Sequence, residues 1–195
     1  MRLKLEAELD KNNLYKFSKL FYKMGWNVVG YGSLISHNSL RETIGDKRFI
    51  PVVVKGYKRI FDIDLIKGKN SDVLNLERNS KCKFNGVMFS VSDKELERLR
   101  KREDSYELEE AAFYNIKKGE KFGNCFVFVD HIDIDRKMLP DKSYFLLCRE
   151  AAYHLSKKFG QMWDETTFVS TGEKVADWLK ENKEYDCVEG DGINE

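Results

Sequence analysis

The sequence predicts an α+β protein with a mostly antiparallel or barrel-like sheet, and three observations support this fold class. Strand-like runs fill the middle of the chain, from about residue 49 to residue 132. Helical patterns lie at both ends and between the groups of strands. The order shows no regular alternation of strand, helix and strand, which would be typical of a parallel sheet.

The first 43 residues predict a helix, a short strand and a second helix. WNVVGY, residues 26–31, is typical of a buried strand, and a brief helix at residues 38–43 follows the glycine turn. Gly25 ends the first helix. The apolar stripe of that first helix consists of Leu14, Phe17, Leu20, Phe21 and Met24.

The middle of the chain predicts strands around one helix. Four strand-like runs, FIPVVVKG, KRIFDIDLI, DVLNLER and FNGVMFSV, are separated by Gly, Asn and Ser. Ser92 and Glu95 form a capping box that opens the helix DKELERLRKRE. Two further strands, YELEEAAFYNI and NCFVFVDHI, follow this helix.

The last third of the chain predicts two helices and a tail. A helical pattern begins at Ser143 and is expected to stop at Gly160, and a last helix is expected at residues 173–181. The domain organisation predicted is therefore an N-terminal helical extension at 1–25, one domain at 26–182 and an acidic tail at 183–195.

Composition excludes several function classes. The 195 residues carry 34 basic and 33 acidic side chains, a net charge of +1, which does not favour nucleic acid or a membrane as a partner. The N-terminus has no apolar core of a signal peptide, so a cytoplasmic location is expected. The scattered cysteines predict free thiols, and neither they nor the histidines have the spacing of metal ligands.

The segment NVVGYGSLIS, residues 27–36, places glycines at 30 and 32 at the end of a predicted strand. A dinucleotide-binding loop needs a third glycine where this chain has Ile35, and no Gly-Lys-Ser or Gly-Lys-Thr of a phosphate-binding loop is present. Ser33 lacks the flanking glycines of a nucleophile elbow. Two interpretations remain level: an ordinary tight turn, or a cradle of backbone N–H groups that binds a carboxylate or an oxyanion.

A carboxylate lies on the apolar face of the helix that begins at Asp93. Leu96 and Leu99 form this face and Glu103 continues it, whereas Arg102 and the other charged residues are expected to point to solvent. Burial would raise the pKa of Glu103 toward the working pH, where a carboxylate both accepts and donates protons. A functional carboxylate and a solvated helix end are both compatible with this pattern.

Three segments are informative when taken in order: GYGSL at 30–34, VKGYKRIFD at 54–62 and NGVMFSVSDKELERLRKREDSY at 85–106. Together they resemble the gamma-glutamylcyclotransferase superfamily, which includes AIG2-like and ChaC-like proteins. SYFLLCREAAYHLSKKFG at 143–160 is similar to that family's helix after the barrel strands. The resemblance covers about residues 26–180. It implies an α+β fold, a gamma-glutamylcyclotransferase-like small mixed β-barrel with flanking helices.

The resemblance also implies which residues form the site. The catalytic glutamate of the family corresponds to Glu103. Its substrate-binding loop corresponds to Tyr31, Gly32, Ser33 and Leu34. Many members have glycine after the glutamate, whereas this chain has Asp104 and Ser105, a departure that bears on the substrate more than on the fold.

The implied reaction is an intramolecular acyl transfer. The α-amine of a small-molecule gamma-glutamyl substrate attacks its own side-chain carbonyl, which gives 5-oxoproline and releases an amine or a peptide. Neither a metal nor an organic cofactor is expected. The pattern leaves the oligomeric state and the identity of the substrate open.

Further residues are candidates for the pocket, and two other functions are compatible with the same sequence. Tyr57, Tyr106 and Tyr144 are candidates for hydroxyls that line the pocket, Tyr106 foremost because it follows the turn at Glu103. Arg59 is expected at the surface of a strand. Two alternative functions are a non-catalytic small-molecule-binding module of the same fold and an enzyme that removes a gamma-glutamyl protecting group.

Overall fold

The structure is a computed structural model that describes residues 25–64, 71–131 and 138–186. Within these residues, one sheet contains the strands β1 Trp26–Gly30, β2 Ile50–Asp64, β3 Ser71–Val91, β4 Glu107–Asn115, β5 Lys121–Val129, β6 Leu139–Pro140 and β7 Thr167–Phe168. The strand order is β6-β3-β1-β5-β4-β2-β7. Since β3 also pairs with β2, strands β1 to β5 close into a ring. Pairing is parallel between β1 and β5 and antiparallel at the other four junctions of the ring, which confirms the small mixed barrel.

Four predicted strands merge into the two long strands β2 and β3, so the predicted breaks within them are wrong. The break expected at Gly56 is a β-bulge, with φ +91° at the glycine and a register shift just before Tyr57. The extra residue reverses which alternate side chains face the core. Val52 and Val54 face it before the bulge, and Tyr57 and Phe61 face it afterwards.

The helices are α1 His37–Ile44, α2 Asp93–Arg102, α3 Lys142–Leu155, α4 Lys157–Thr166 and α5 Val175–Trp178, with 3-10 helices at Ser33–Ile35 and Lys183–Tyr185. The predicted helices at α1 and α2 are confirmed. The capping box of Ser92 and Glu95 is present, since the Glu95 carboxylate accepts from the Ser92 amide at 2.9 Å.

The single helix expected from Ser143 to Gly160 is wrong, because the chain forms two helices there. Ser156 interrupts them and caps α4, where its hydroxyl accepts from the Phe159 amide at 3.2 Å. Gly160 lies inside α4 rather than after a helix end. A Cβ at Gly160 would lie 2.3 Å from the ring of Tyr153, so the glycine permits close packing of α3 and α4.

The last elements pack against the helical side of the barrel. The helix expected at residues 173–181 is shorter, Val175–Trp178. Tyr185 is buried, and its ring centroid lies 4.7 Å from that of Trp178 and 5.3 Å from that of Phe145. The predicted N-terminal helix lies outside the described residues. Across the described ranges, every helix is too short or too polar to cross a bilayer.

Candidate active site

The loop after β1 is held by side chains that point into the core. Tyr31, Leu34 and Ile35 are buried, and the Tyr31 hydroxyl donates to the Phe128 carbonyl at 2.9 Å. The Ile35 amide donates to the Gly32 carbonyl at 2.9 Å, which closes the short 3-10 turn. The loop is therefore fixed from below by β5 and by its own turn.

The two glycines of this loop are closely packed. A Cβ at Gly30 would lie 2.7 Å from Cβ of Leu34, and a Cβ at Gly32 would lie 2.6 Å from the hydroxyl oxygen of Tyr144. Gly32 has φ −114°, so space rather than a positive φ excludes a side chain there. The glycine at position 32 thus allows Tyr144, on α3, to lie against the loop.

Three consecutive amides of the loop are available for a ligand. Among the hydrogen bonds within the described residues, none uses the N–H of Gly32, Ser33 or Leu34 as donor. Unpaired N–H groups at the start of a helical turn are typical anion-binding groups. This arrangement favours the cradle over the ordinary tight turn.

Glu103 directly follows α2, at the helix end that lies beside the glycine loop. Its amide donates to the Leu99 carbonyl and its carbonyl accepts from the Tyr106 amide, both at 2.9 Å, so the chain turns immediately after the glutamate. Leu96 and Leu99 are buried, and the Glu103 side chain is only 18% exposed. The predicted helix phase is therefore confirmed, and Glu103 is not a solvated helix end.

One small cavity brings the loop and Glu103 together. Its volume is about 20 Å³, and its lining residues are Tyr31, Gly32, Ser33, Leu34, Leu74, Glu103, Tyr106, Phe128 and Tyr144. Glu103, the four predicted loop residues and the tyrosine candidates Tyr106 and Tyr144 all lie on this lining. Leu74 and Phe128, which come from β3 and β5, were missed because only the closure of the barrel brings them beside the loop.

Burial dominates the electrostatics of Glu103. Desolvation raises the pKa of its carboxyl above the ordinary value, and the nearby charge of Asp104 adds to this effect. Arg102 acts in the opposite direction, with its Nε 3.0 Å from Oε1 of Glu103, but does not cancel the burial. A carboxylate with a raised pKa holds and returns a proton more readily than an ordinary, fully solvated carboxylate.

The tyrosines of the cavity remain protonated. Burial raises the pKa of the Tyr31, Tyr106 and Tyr144 hydroxyls above their ordinary range. The Tyr106 hydroxyl donates to the Leu74 carbonyl at 2.9 Å, so Tyr106 braces the cavity wall. Tyr57, the third tyrosine considered from the sequence, lies elsewhere, since its hydroxyl donates to Glu109 at 2.6 Å.

Arg102 was wrongly expected to point to solvent. Its guanidinium donates to Ser33 Oγ at 3.0 Å and to the carbonyl and hydroxyl oxygens of Ser39 at 2.6 and 2.7 Å. It thereby links Glu103, the glycine loop and α1. Thr43 on α1 also accepts from Arg102 at 2.9 Å. These partners lie far from Arg102 in the sequence, so no local pattern signals the contacts.

The environment that the sequence predicts for Arg59 is also wrong. Its side chain is 0% exposed, although a strand surface was expected. The bulge at Gly56 is the reason, because the extra residue turns Arg59 to the same side as Tyr57 and Phe61.

Solved structures share this fold at low sequence identity. A structure of a gamma-glutamyl cyclotransferase matches with TM-score 0.60 and 13% identity over 82% of this chain and 98% of that chain. The uncharacterized protein loc79017 from Homo sapiens matches with TM-score 0.60 and 14% identity over the same shares. YkqA from Bacillus subtilis matches with TM-score 0.56 and 16% identity over 75% of this chain and 56% of YkqA. At these identities the likeness concerns the fold alone.

Sequence comparison identifies the family. No curated protein matches the sequence significantly. The family model for ChaC-like protein, in contrast, matches residues 26–150, well over half of the chain. The matched segment begins at β1 and includes the glycine loop, the strands of the barrel and Glu103. The chain therefore belongs to the ChaC-like family.

Proposed function

We propose that this protein is an enzyme that cyclises a gamma-glutamyl group to 5-oxoproline and releases an amine or a peptide. The observation that carries the proposal is the shared cavity of Glu103 and the glycine loop. The cavity is lined by Glu103, a mostly buried carboxylate with a raised pKa, and by loop residues whose amides have no acceptor among the described residues; together they supply a proton carrier and an anion site.

Glu103 carries out both proton transfers of this reaction. The α-amine nitrogen of the substrate attacks the γ-carbonyl carbon, and its proton passes to the Glu103 carboxylate. The tetrahedral intermediate then loses the bond between the γ-carbon and the leaving nitrogen, and Glu103 returns the proton to that nitrogen. General acid–base catalysis of this kind contributes a factor of about 10² to 10⁴ in rate.

The loop amides stabilise the negative charge on the substrate. The N–H groups of residues 32–34 hold either the substrate α-carboxylate or the oxyanion of the tetrahedral intermediate. One well-placed oxyanion donor lowers the activation barrier by about 3 to 4 kcal/mol in other enzymes. The loop amides and Glu103 therefore make comparable contributions to the rate. Folding the substrate so that its amine meets its own carbonyl supplies the remaining advantage.

The substrate enters only when the lining side chains separate. A cavity of about 20 Å³ holds about one water molecule, which is far less than a gamma-glutamyl group needs. Tyr144 is the side chain that we expect to move, because its hydroxyl occupies the space beside Gly32.

The test is a substrate screen with the full chain. Gamma-glutamyl amino acids, gamma-glutamylamines and glutathione are incubated separately with the protein, and 5-oxoproline and the released amine are quantified by mass spectrometry. We expect 5-oxoproline from at least one class, and the productive class identifies the leaving group. A protein that binds these compounds but releases no 5-oxoproline from any of them is the non-catalytic binding module instead.

A further inference from the structure

The buried guanidinium of Arg59 touches the glycine loop from below. Its Nη1 donates to the carbonyl oxygen of Tyr31 at 3.3 Å and to that of Asn85 at 2.6 Å. The side chain is 0% exposed, and its guanidinium carbon lies 5.0 Å from the centroid of the Trp163 ring. Arg59 is thus part of the floor beneath the loop rather than part of the cavity lining.

Every hydrogen-bond acceptor of Arg59 among the described residues is neutral. In addition to the two carbonyls, they are Thr167 Oγ1 at 2.8 Å, Asn85 Oδ1 at 3.0 Å, Thr166 Oγ1 at 3.1 Å and the Trp163 carbonyl at 3.2 Å. Asp164, a carboxylate whose charge acts on Arg59, is itself held by Arg149, with Nε 3.0 Å from Oδ1. Burial lowers the pKa of Arg59 to about 9, so the side chain is still a cation at neutral pH.

A buried cation without a carboxylate partner is costly, and an apolar side chain would fill the same space at less cost. The cost is compensated when an anion binds nearby. The amides of residues 32–34, which have no acceptor within the described part of the chain, lie on the loop that Arg59 supports. An anion in the cavity would therefore be the missing partner of the Arg59 charge.

The peptide between Tyr31 and Gly32 connects the two groups. It is trans, as are all peptide bonds of the described residues, so its N–H points opposite to its carbonyl. Because the carbonyl is held by Arg59, the Gly32 N–H points away from the guanidinium. Donation by a charged group to a carbonyl also polarises the peptide and strengthens its N–H as a donor.

We propose that Arg59 is a positioning residue that orients the Gly32 amide toward a bound anion and supplies the buried positive charge that this anion meets. The inference about the anion rests on the proposed function, whereas the inference about the Gly32 amide does not. Arg59 does not touch the reacting atoms, so its effect passes through the loop.

The experiment compares two buried arginines. Arg59→Met removes the guanidinium beneath the loop, and Arg149→Met is the matched control, because its side chain is also buried, at 6% exposed, but is paired with Asp164 away from the loop. The Gly32 amide is followed by NMR in protein labelled with ¹⁵N-glycine, and kcat and KM are measured by 5-oxoproline release. Chemical denaturation establishes that each variant folds.

We expect Arg59→Met to shift the Gly32 amide resonance, to speed its hydrogen exchange and to lower kcat/KM by about tenfold or more, less than direct loss of a donor. Arg149→Met should change stability but neither of these readouts. Arg59→Lys, which keeps the charge without the planar fork, should still shift the Gly32 resonance but recover part of kcat/KM. If Arg59→Met does not fold, Arg59→Lys and Thr167→Val, which removes the acceptor of Nε, give the same readouts.

The outcomes separate this inference from the proposed function. Folded Arg59 variants with an unchanged Gly32 amide and unchanged kcat/KM overturn the inference, even when the wild type produces 5-oxoproline. If the Gly32 amide shifts in the Arg59 variants but the wild type releases no 5-oxoproline, the positioning role is supported and only the proposed function is contradicted.

Discussion

The guanidinium of Arg102 donates a hydrogen bond to the hydroxyl oxygen of Ser33 at 3.0 Å. The same side chain lies 3.0 Å from the Glu103 carboxylate, so one arginine links Glu103 to the loop. Its remaining contacts, to Ser39 and Thr43 on α1, hold it in place.

Arg102→Gln should lower kcat/KM by about tenfold and move the acidic limb of its pH profile to higher pH. The reason for the pH change is that Arg102 lowers the pKa of Glu103, and removing it leaves burial unopposed. The loss of its hydrogen bonds should cost about 1 to 3 kcal/mol in unfolding free energy. Arg98→Gln, exposed on the same helix, is the control. A lower stability with an unmoved pH profile would mean that Arg102 is only structural.

Gly32→Ala should impair the site more than the fold. The new Cβ lies 2.6 Å from the Tyr144 hydroxyl oxygen, so either the loop or Tyr144 must move. A displacement of this size can cost about 10²-fold in rate, and the overpacking costs about 1 to 3 kcal/mol in stability. Steady-state kinetics and urea unfolding measure the two effects.

Tyr144→Phe tests the cause of that effect, because it removes the oxygen that the new Cβ meets. The double variant Gly32→Ala/Tyr144→Phe should recover part of kcat/KM relative to Gly32→Ala, with Tyr144→Phe alone as the reference. Unchanged kinetics in Gly32→Ala would return the loop to an ordinary turn.

Glu103→Gln should become more stable relative to the wild type as pH rises. Burial raises the pKa of Glu103 in the folded protein, so above the pKa of the unfolded state the folded protein holds a proton that the unfolded chain has lost. Wild-type stability therefore falls as pH rises from about 4 toward the folded pKa, while the neutral glutamine escapes this loss.

Urea unfolding of both proteins at several pH values between about 4 and 8 measures this difference. It should be smallest at the acidic end and should level off above the folded pKa. A difference of the opposite sign, with the variant losing stability as pH rises, would mean that the ion pair with Arg102 outweighs burial.

The fold was predictable where short-range sequence patterns decide the secondary structure. The capping box of Ser92 and Glu95 set the start of α2, and its apolar phase placed Glu103 on the buried side. The same local reasoning failed at two glycines. The sequence predicts a strand end at Gly56, but a bulge accommodates this glycine inside β2. It predicts a helix end at Gly160, but this glycine makes room for Tyr153.

The candidate site was predictable only in its chain-local parts. The loop at residues 30–34 and Glu103 could be recognised from short segments of sequence. Arg59 could not, because its direction depends on the parity change at the bulge, and Arg102 could not, because its partners lie on the distant loop and on α1. Such contacts are set by the closure of the barrel rather than by neighbours in sequence.

The measurement that tests the central claim most directly is 5-oxoproline release by Glu103→Gln, with Asp104→Asn as the matched control. Glutamine keeps the size and shape of Glu103 but cannot carry the proton, so turnover should fall by about 10² or more while the variant stays folded and still binds 5-oxoproline. Asp104 is exposed, and Asp104→Asn should remain close to wild type. If Glu103→Gln retains wild-type turnover on a substrate that the wild type cyclises, proton transfer lies elsewhere; if Asp104→Asn alone loses it, the wrong carboxylate has been assigned.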